Sequence, residues 1–136
     1  AKGLGQSLAI EVVGLMIEQL ANDKRLLKPV RQVIVNAEPA FLRLAVTDPR
    51  FFSDRSHPGR RLLEVMTNTS LAYASEDAAG FTEFMQNLNE VAVLLTEEHA
   101  RDAQHFATLL QDFESGLARG GQAHREAQSR AVQALL

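Results

Sequence analysis

A chain of 136 residues with a formal net charge of −3 is one domain's worth of sequence, long enough to bury roughly 68% of the surface its unfolded form exposes. The absence of cysteine excludes disulfide frameworks, thiolate metal sites and cysteine nucleophiles. No apolar run approaches the roughly 18 residues of a membrane-spanning helix, the opening Ala-Lys-Gly-Leu-Gly lacks the apolar core of a secretory signal, and a pI near 5.8 argues against a nucleic-acid binder.

Apolar residues recur at helical spacing throughout and nowhere alternate as in a half-buried strand, so the expected class is all-α, a bundle of six or seven helices. The first helix is predicted to start after Ser7, a good N-cap, and carries two apolar rows, Leu8, Val12, Leu15, Met16 and Ile10, Val13, Ile17, Leu20. A helix so apolar needs neighbours on most sides. Pro29 and Pro39 stand where first-turn prolines belong and open two short helices, the second stopped by Pro49. The stretch from Asp48 to Pro58 is a connector whose Phe51 or Phe52 should plug the core, with His57 in the cap position of a fourth helix running to about Ala74.

Ser75, Glu76 and Asp77 are suited to cap and open a fifth helix, whose stripe runs through Phe81, Phe84, Leu88, Val91 and Leu95. After a break near Thr96, Phe106, Leu110, Phe113 and Leu117 follow 3,4 spacing until Gly120 and Gly121 are expected to end the helix. Segments 76–96 and 98–118 thus predict a long antiparallel hairpin. The expected organisation is a single domain over 1–121 and an Ala/Gln-rich helical tail over 122–136, frayed or packed on a partner. With no initiator Met and no closing signal, the chain reads as a segment of a longer polypeptide.

Charge is unevenly distributed. Between Asp23 and Arg61 nine basic residues face four acids, whereas between Glu76 and Glu114 nine acids face Arg101 alone. Such separation serves either as complementary solvated faces or as a docking surface for a charged partner. Arg55, His57, Arg60 and Arg61 cluster at the start of the fourth helix, where backbone N–H groups and the helix dipole favour an anion and arginine adds bidentate donors. These four are the candidate contact residues; the opposing reading is that Asp48 and Asp54 neutralise the arginines. Asp54, Ser56 and Gly59 also spell half of the cyclic-dinucleotide motif of PilZ domains, but that motif sits on a β-barrel and the flanks here are helical.

Ser53, Asp54, Ser56 and His57 supply hydrolase residue types, yet near neighbours on one turn point apart and read as capping chemistry. Glu98, Asp102 and His105 share a helical face, but a di-iron site needs a second Glu-x-x-His, which the sequence lacks. His99 and His124 have no ligand spacing. No catalytic residue, metal or cofactor is expected.

The run from Pro39 to Leu63, above all FFSDRSHPGRRLL, together with Val13-Gly14-Leu15-Met16 and Asp23 to Leu27, resembles the bacterial family called domain of unknown function 1631. The specific resemblance covers residues 8 to 66 and departs from the usual pattern at Ala37-Glu38, at Gly59 where alanine is expected, and at Glu64 where asparagine is commoner. It implies a segment of a large, helical, cytoplasmic bacterial protein with no established activity and no catalytic roles to transfer. Function is therefore expected to be an interaction or scaffolding module, not an enzyme. The alternative is a regulatory module binding a phosphate-bearing small molecule or nucleotide at the Arg50 to Arg61 connector. Expected partners are a protein or other domains of the parent chain, with a homo-oligomer suggested by the 3,4 stripe around Phe106 and Phe113.

Overall fold

The computed structural model describes residues 2–96 and 101–135, and every described element is helical. In chain order these are α1 (Lys2–Ala21), α2 (Lys28–Asn36), α3 (Glu38–Thr47), α4 (Arg50–Ser53), α5 (Pro58–Ser70), α6 (Phe81–Thr96) and α7 (Ala103–Leu135). Each proline near a helix start does what its fixed φ suits it for, opening α2, α3 and α5 in the first turn. None of the described helices is long and apolar enough to cross a membrane.

Helix α1 lies on α2 and α3, α2 and α3 touch α6, and α5 and α6 both pack on α7. Burial follows the apolar periodicity except on α1, which has neighbours on fewer sides than expected and leaves Leu8, Ile10, Val12 and Leu15 exposed. Val13 and Ile17 of α1, Val30 and Ile34 of α2, Phe41 and Leu44 of α3, Leu88 and Leu95 of α6, and Phe106 and Phe113 of α7 all enter one continuous core. Two aromatic groups tie it together. Phe41 sits 6.4 Å from Phe51 and 5.6 Å from Phe106, and Tyr73, Phe81 and Phe84 cluster beside Phe113, with 6.2 Å between Phe84 and Phe113. Phe51 plugs the core completely, while Phe52 stays half-buried with its edge against the Phe51 ring. Because Phe106 and Phe113 are fully enclosed, the stripe that hinted at self-association is used within the chain.

Four boundaries differ from expectation. Ser7 does not cap α1, which starts at Lys2. Helix α5 ends at Ser70, short of Ala74. The Thr67, Thr69 and Ser70 hydroxyls bond back to the carbonyls of Leu63, Val65 and Thr67, a competition with the helix ladder that favours termination. Residues 71–80 form turns, so Ser75 opens nothing; Gly80 at φ 84 cannot continue a helix, and α6 starts one residue later.

Gly120 and Gly121 do not end α7, which crosses the expected 121/122 boundary unbroken. A terminating glycine adopts positive φ, and among the described residues Gly80 alone does so. Ala, Gln, Arg and Glu around the pair are strong enough helix formers to carry the helix through. The antiparallel hairpin is present as α6 against α7, with Asn87 Nδ2 donating to the Phe113 carbonyl at 3.0 Å.

The glycines of α7 are not equivalent. A Cβ on Gly116 would overlap the Asn87 side chain, whereas one on Gly120 would meet nothing within 4 Å. Glycine inside a helix costs about 1 kcal/mol relative to alanine. Gly120→Ala is therefore expected to raise stability by about 1 kcal/mol, and Gly116→Ala to lower it by displacing Asn87 from Phe113. Paired urea titrations check the opposite signs, and two shifts in the same direction would contradict this packing.

Candidate functional site

The connector between α3 and α5 is built around His57. The imidazole is only 2% exposed. It packs edge-on against Phe51, its Nδ1 accepts the Gly59 N–H at 3.0 Å, and its Nε2 lies 2.9 Å from Asp48 Oδ2. These partners assign the neutral tautomer with the proton on Nε2, donating to the carboxylate while Nδ1 caps α5. Close approach demands glycine at 59, where a Cβ would overlap Leu44 and press on Phe51.

Asp48 also receives the Arg50 guanidinium, Nε to Oδ1 at 2.9 Å and Nη2 to Oδ2 at 2.7 Å. The Arg50 hydrogen bonds first, and the His57 one second, hold its carboxyl well below the usual carboxylate range. The parallel pair Asp23 and Arg25, 2.7 Å apart in the loop before α2, lowers Asp23 to about 2. Asp54 Oδ1 accepts the Ser56 N–H at 2.8 Å and shapes the turn, while its charge acts on Arg50 only as a minor influence beside Asp48.

Several positive charges in the first half of the chain meet backbone carbonyls. Arg31 donates to the Ala21 carbonyl at the end of α1 (3.5 Å), Arg43 to Leu95 near the end of α6 (3.4 Å), and Arg60 to Phe51 in α4 (3.3 Å). Cations placed at or near helix C-termini answer the negative end of the dipole. Of the four sequence candidates, His57 is buried and Arg60 partly buried, both bonded inward, whereas Arg55 and Arg61 are exposed. At the start of α5, Pro58 carries no N–H and Gly59 gives its own to His57, which leaves little of the backbone donor set an anion would use.

The carboxylate and histidine face at the other end of the chain has a local role. Asp102 Oδ1 accepts the His105 N–H at 3.0 Å and lies 2.8 Å from His105 Nδ1, a cap on α7. Glu98 and His99 lie outside the described residues, as does the side chain of His124. Among the described residues no three His, Cys, Asp or Glu side chains gather as a metal site.

Sequence reasoning missed a cleft of about 350 Å³ between the 71–80 turns, the start of α6 and the middle of α7. Tyr73 and Phe84, with rings 4.9 Å apart, form one wall. Glu83 stands at the rim and Asn87 behind it, while Gly116 and Gly120 expose helix backbone opposite. Burial, and secondarily the Glu83 charge, pushes the Tyr73 hydroxyl above its ordinary pKa. The hint in the sequence was the recurrence of glycine at 116, 120 and 121, within two turns of one helix.

Fold and connector together define an all-helical domain whose most specific local structure is the His57-capped turn between α3 and α5. That turn lies within the matched region of a known family: the chain belongs to the family described as protein of unknown function (DUF1631) 2nd domain, which matches residues 1–102. Neither a curated protein nor a solved structure matches the chain. Helix α7 lies beyond the matched span.

Proposed function

We propose that the chain is a helical interaction module, not an enzyme, and that its docking element is the outer face of α1. The observation that carries this reading is the apolar ridge on that face. Leu8, Val12 and Leu15, at i, i+4 and i+7, are 53%, 39% and 53% exposed although the same helix seals Val13 and Ile17 into the core. Single exposed leucines are ordinary, whereas a helical stripe of them marks a contact surface. The ridge is flanked on one side by Glu11 and Glu18, both exposed. It therefore suits an amphipathic helix, from a partner protein or another domain of the parent chain, with leucine-type anchors beside lysine or arginine.

The connector supports the non-enzymatic reading, since both ring nitrogens of its one histidine are engaged within the chain. The test uses fluorescence anisotropy with two synthetic amphipathic helices, one leucine-faced with lysine flanks and one with glutamate flanks. The lysine-flanked peptide is expected to bind, and Val12→Ser/Leu15→Ser to weaken it about tenfold, the equivalent of about 1.4 kcal/mol, with Tm unchanged. Arg55→Ala/Arg61→Ala should leave binding intact. If the arginine variant loses binding and the α1 variant retains it, the connector is the docking element and this reading falls.

A further inference from the structure

We infer that the cleft between α6 and α7 is a binding site for a small organic cation, an aryl or alkyl amine of phenethylamine size. The first observation is an unexplained glycine. Gly116 is required by Asn87, but Gly120, one turn further along α7, faces open space, so packing within the chain does not account for its missing side chain. What the missing side chain leaves is the cleft itself, whose volume of about 350 Å³ falls in the range of small-molecule sites.

The lining specifies the ligand. Tyr73 and Phe84 present a flat apolar wall against which a ring or short alkyl chain would stack, and aromatic faces also attract an ammonium group. Glu83, in the first turn of α6, supplies the carboxylate at the rim, close enough to Tyr73 to act on its hydroxyl. Asn87 also lines the cleft, its amide packed against Gly116 with one N–H given to Phe113, and its carbonyl oxygen is an acceptor. Among the described residues no basic side chain lines the cleft. Every polar side chain of the wall can thus accept from a cation, and the segment from Glu76 to Glu114, with nine acids and one base, adds a field of the same sign. An anion would meet carboxylate repulsion with no compensating donor charge among the described residues of the wall.

The site is independent of the α1 ridge, and its test reads different residues. Phenethylamine is titrated into the 15N-labelled chain, with 2-phenylethanol as the neutral isostere and benzoate as the anionic one. Saturable shifts are expected at the amides of Gly80, Glu83 and Gly120 with the amine. The alcohol on the native chain, and the amine on Glu83→Gln, should bind about fivefold more weakly, the order of an exposed ion pair. Gly120→Leu places a side chain in the open space without disturbing the helix, so it should fold, by far-UV circular dichroism, and abolish the shifts. The inference is overturned if the amine gives no saturable shift, if alcohol or benzoate binds as well as the amine, or if folded Gly120→Leu binds unchanged.

Discussion

Replacing Phe41 by alanine is expected to lower the stability of the domain by about 3–5 kcal/mol, measured as a shift in urea midpoint by far-UV circular dichroism at pH 7. Phe41 is completely buried on α3, and its ring meets Phe51 of α4 on one side and Phe106 of α7 on another. It is therefore the point where the N-terminal helices, the connector and the C-terminal helix share one contact. A void there has three walls on three different helices, so no single shift can close it, and the penalty belongs at the upper end of the range for large-to-small changes. A domain of this size has about 5–15 kcal/mol in total, so the variant should sit close to its unfolding transition. Phe52→Ala, removing a half-buried ring that only braces Phe51, is expected to lose about 1–2 kcal/mol by the same rule scaled to its burial. Equal losses from the two variants would mean that Phe41 does not join the layers as described.

Where a local signal is also the physical cause, sequence and structure agree. Pro29, Pro39 and Pro58 open helices because a fixed φ and a missing N–H suit the first turn wherever it lies in the fold. His57 as cap was legible for the same reason, and so was a core plug at Phe51 or Phe52, whereas which ring enters the core was settled by folding. Ser75-Glu76-Asp77 misled because a capping sequence acts only if a helix follows, and Gly80 at positive φ delays the helix by several residues. Gly120-Gly121 misled because a glycine pair stops a helix only by turning left-handed, and residues beyond it were helical enough to prevent that.

The candidate site divides in the same way. Arg55, His57, Arg60 and Arg61 are near one another in sequence and were found there, but which of them face inward depends on carbonyls and carboxylates brought in by folding, such as Phe51 O and Asp48. The cleft was not legible at all. Tyr73, Glu83 and Gly120 come from three segments, and only the packing of α6 on α7 makes them neighbours.

Those inward contacts give the second large effect, at His57 and Asp48. His57→Ala is expected to cost about 2–4 kcal/mol, since it removes the α5 cap, empties the space beside Phe51 and withdraws a donor from Asp48. His57→Asn, which keeps a capping acceptor but cannot reach Asp48, should recover about 1 kcal/mol of that loss.

The acid limb of stability has a direction set by the carboxylates. Asp48 and Asp23 are both held below the usual range, so unfolded carboxyls near pH 3.9 take up protons before the folded ones do. Their contribution is fully present above that value and is lost as pH falls through the folded values, which for Asp23 means between about 4 and about 2. The urea midpoint is accordingly expected to fall across this window. Asp48→Asn should lower the midpoint at pH 7 and flatten the fall, because an amide still accepts from His57 but no longer binds Arg50 as an ion or titrates. An acid limb as steep in Asp48→Asn as in the native chain would show that the Asp48, Arg50 and His57 cluster does not couple protonation to folding.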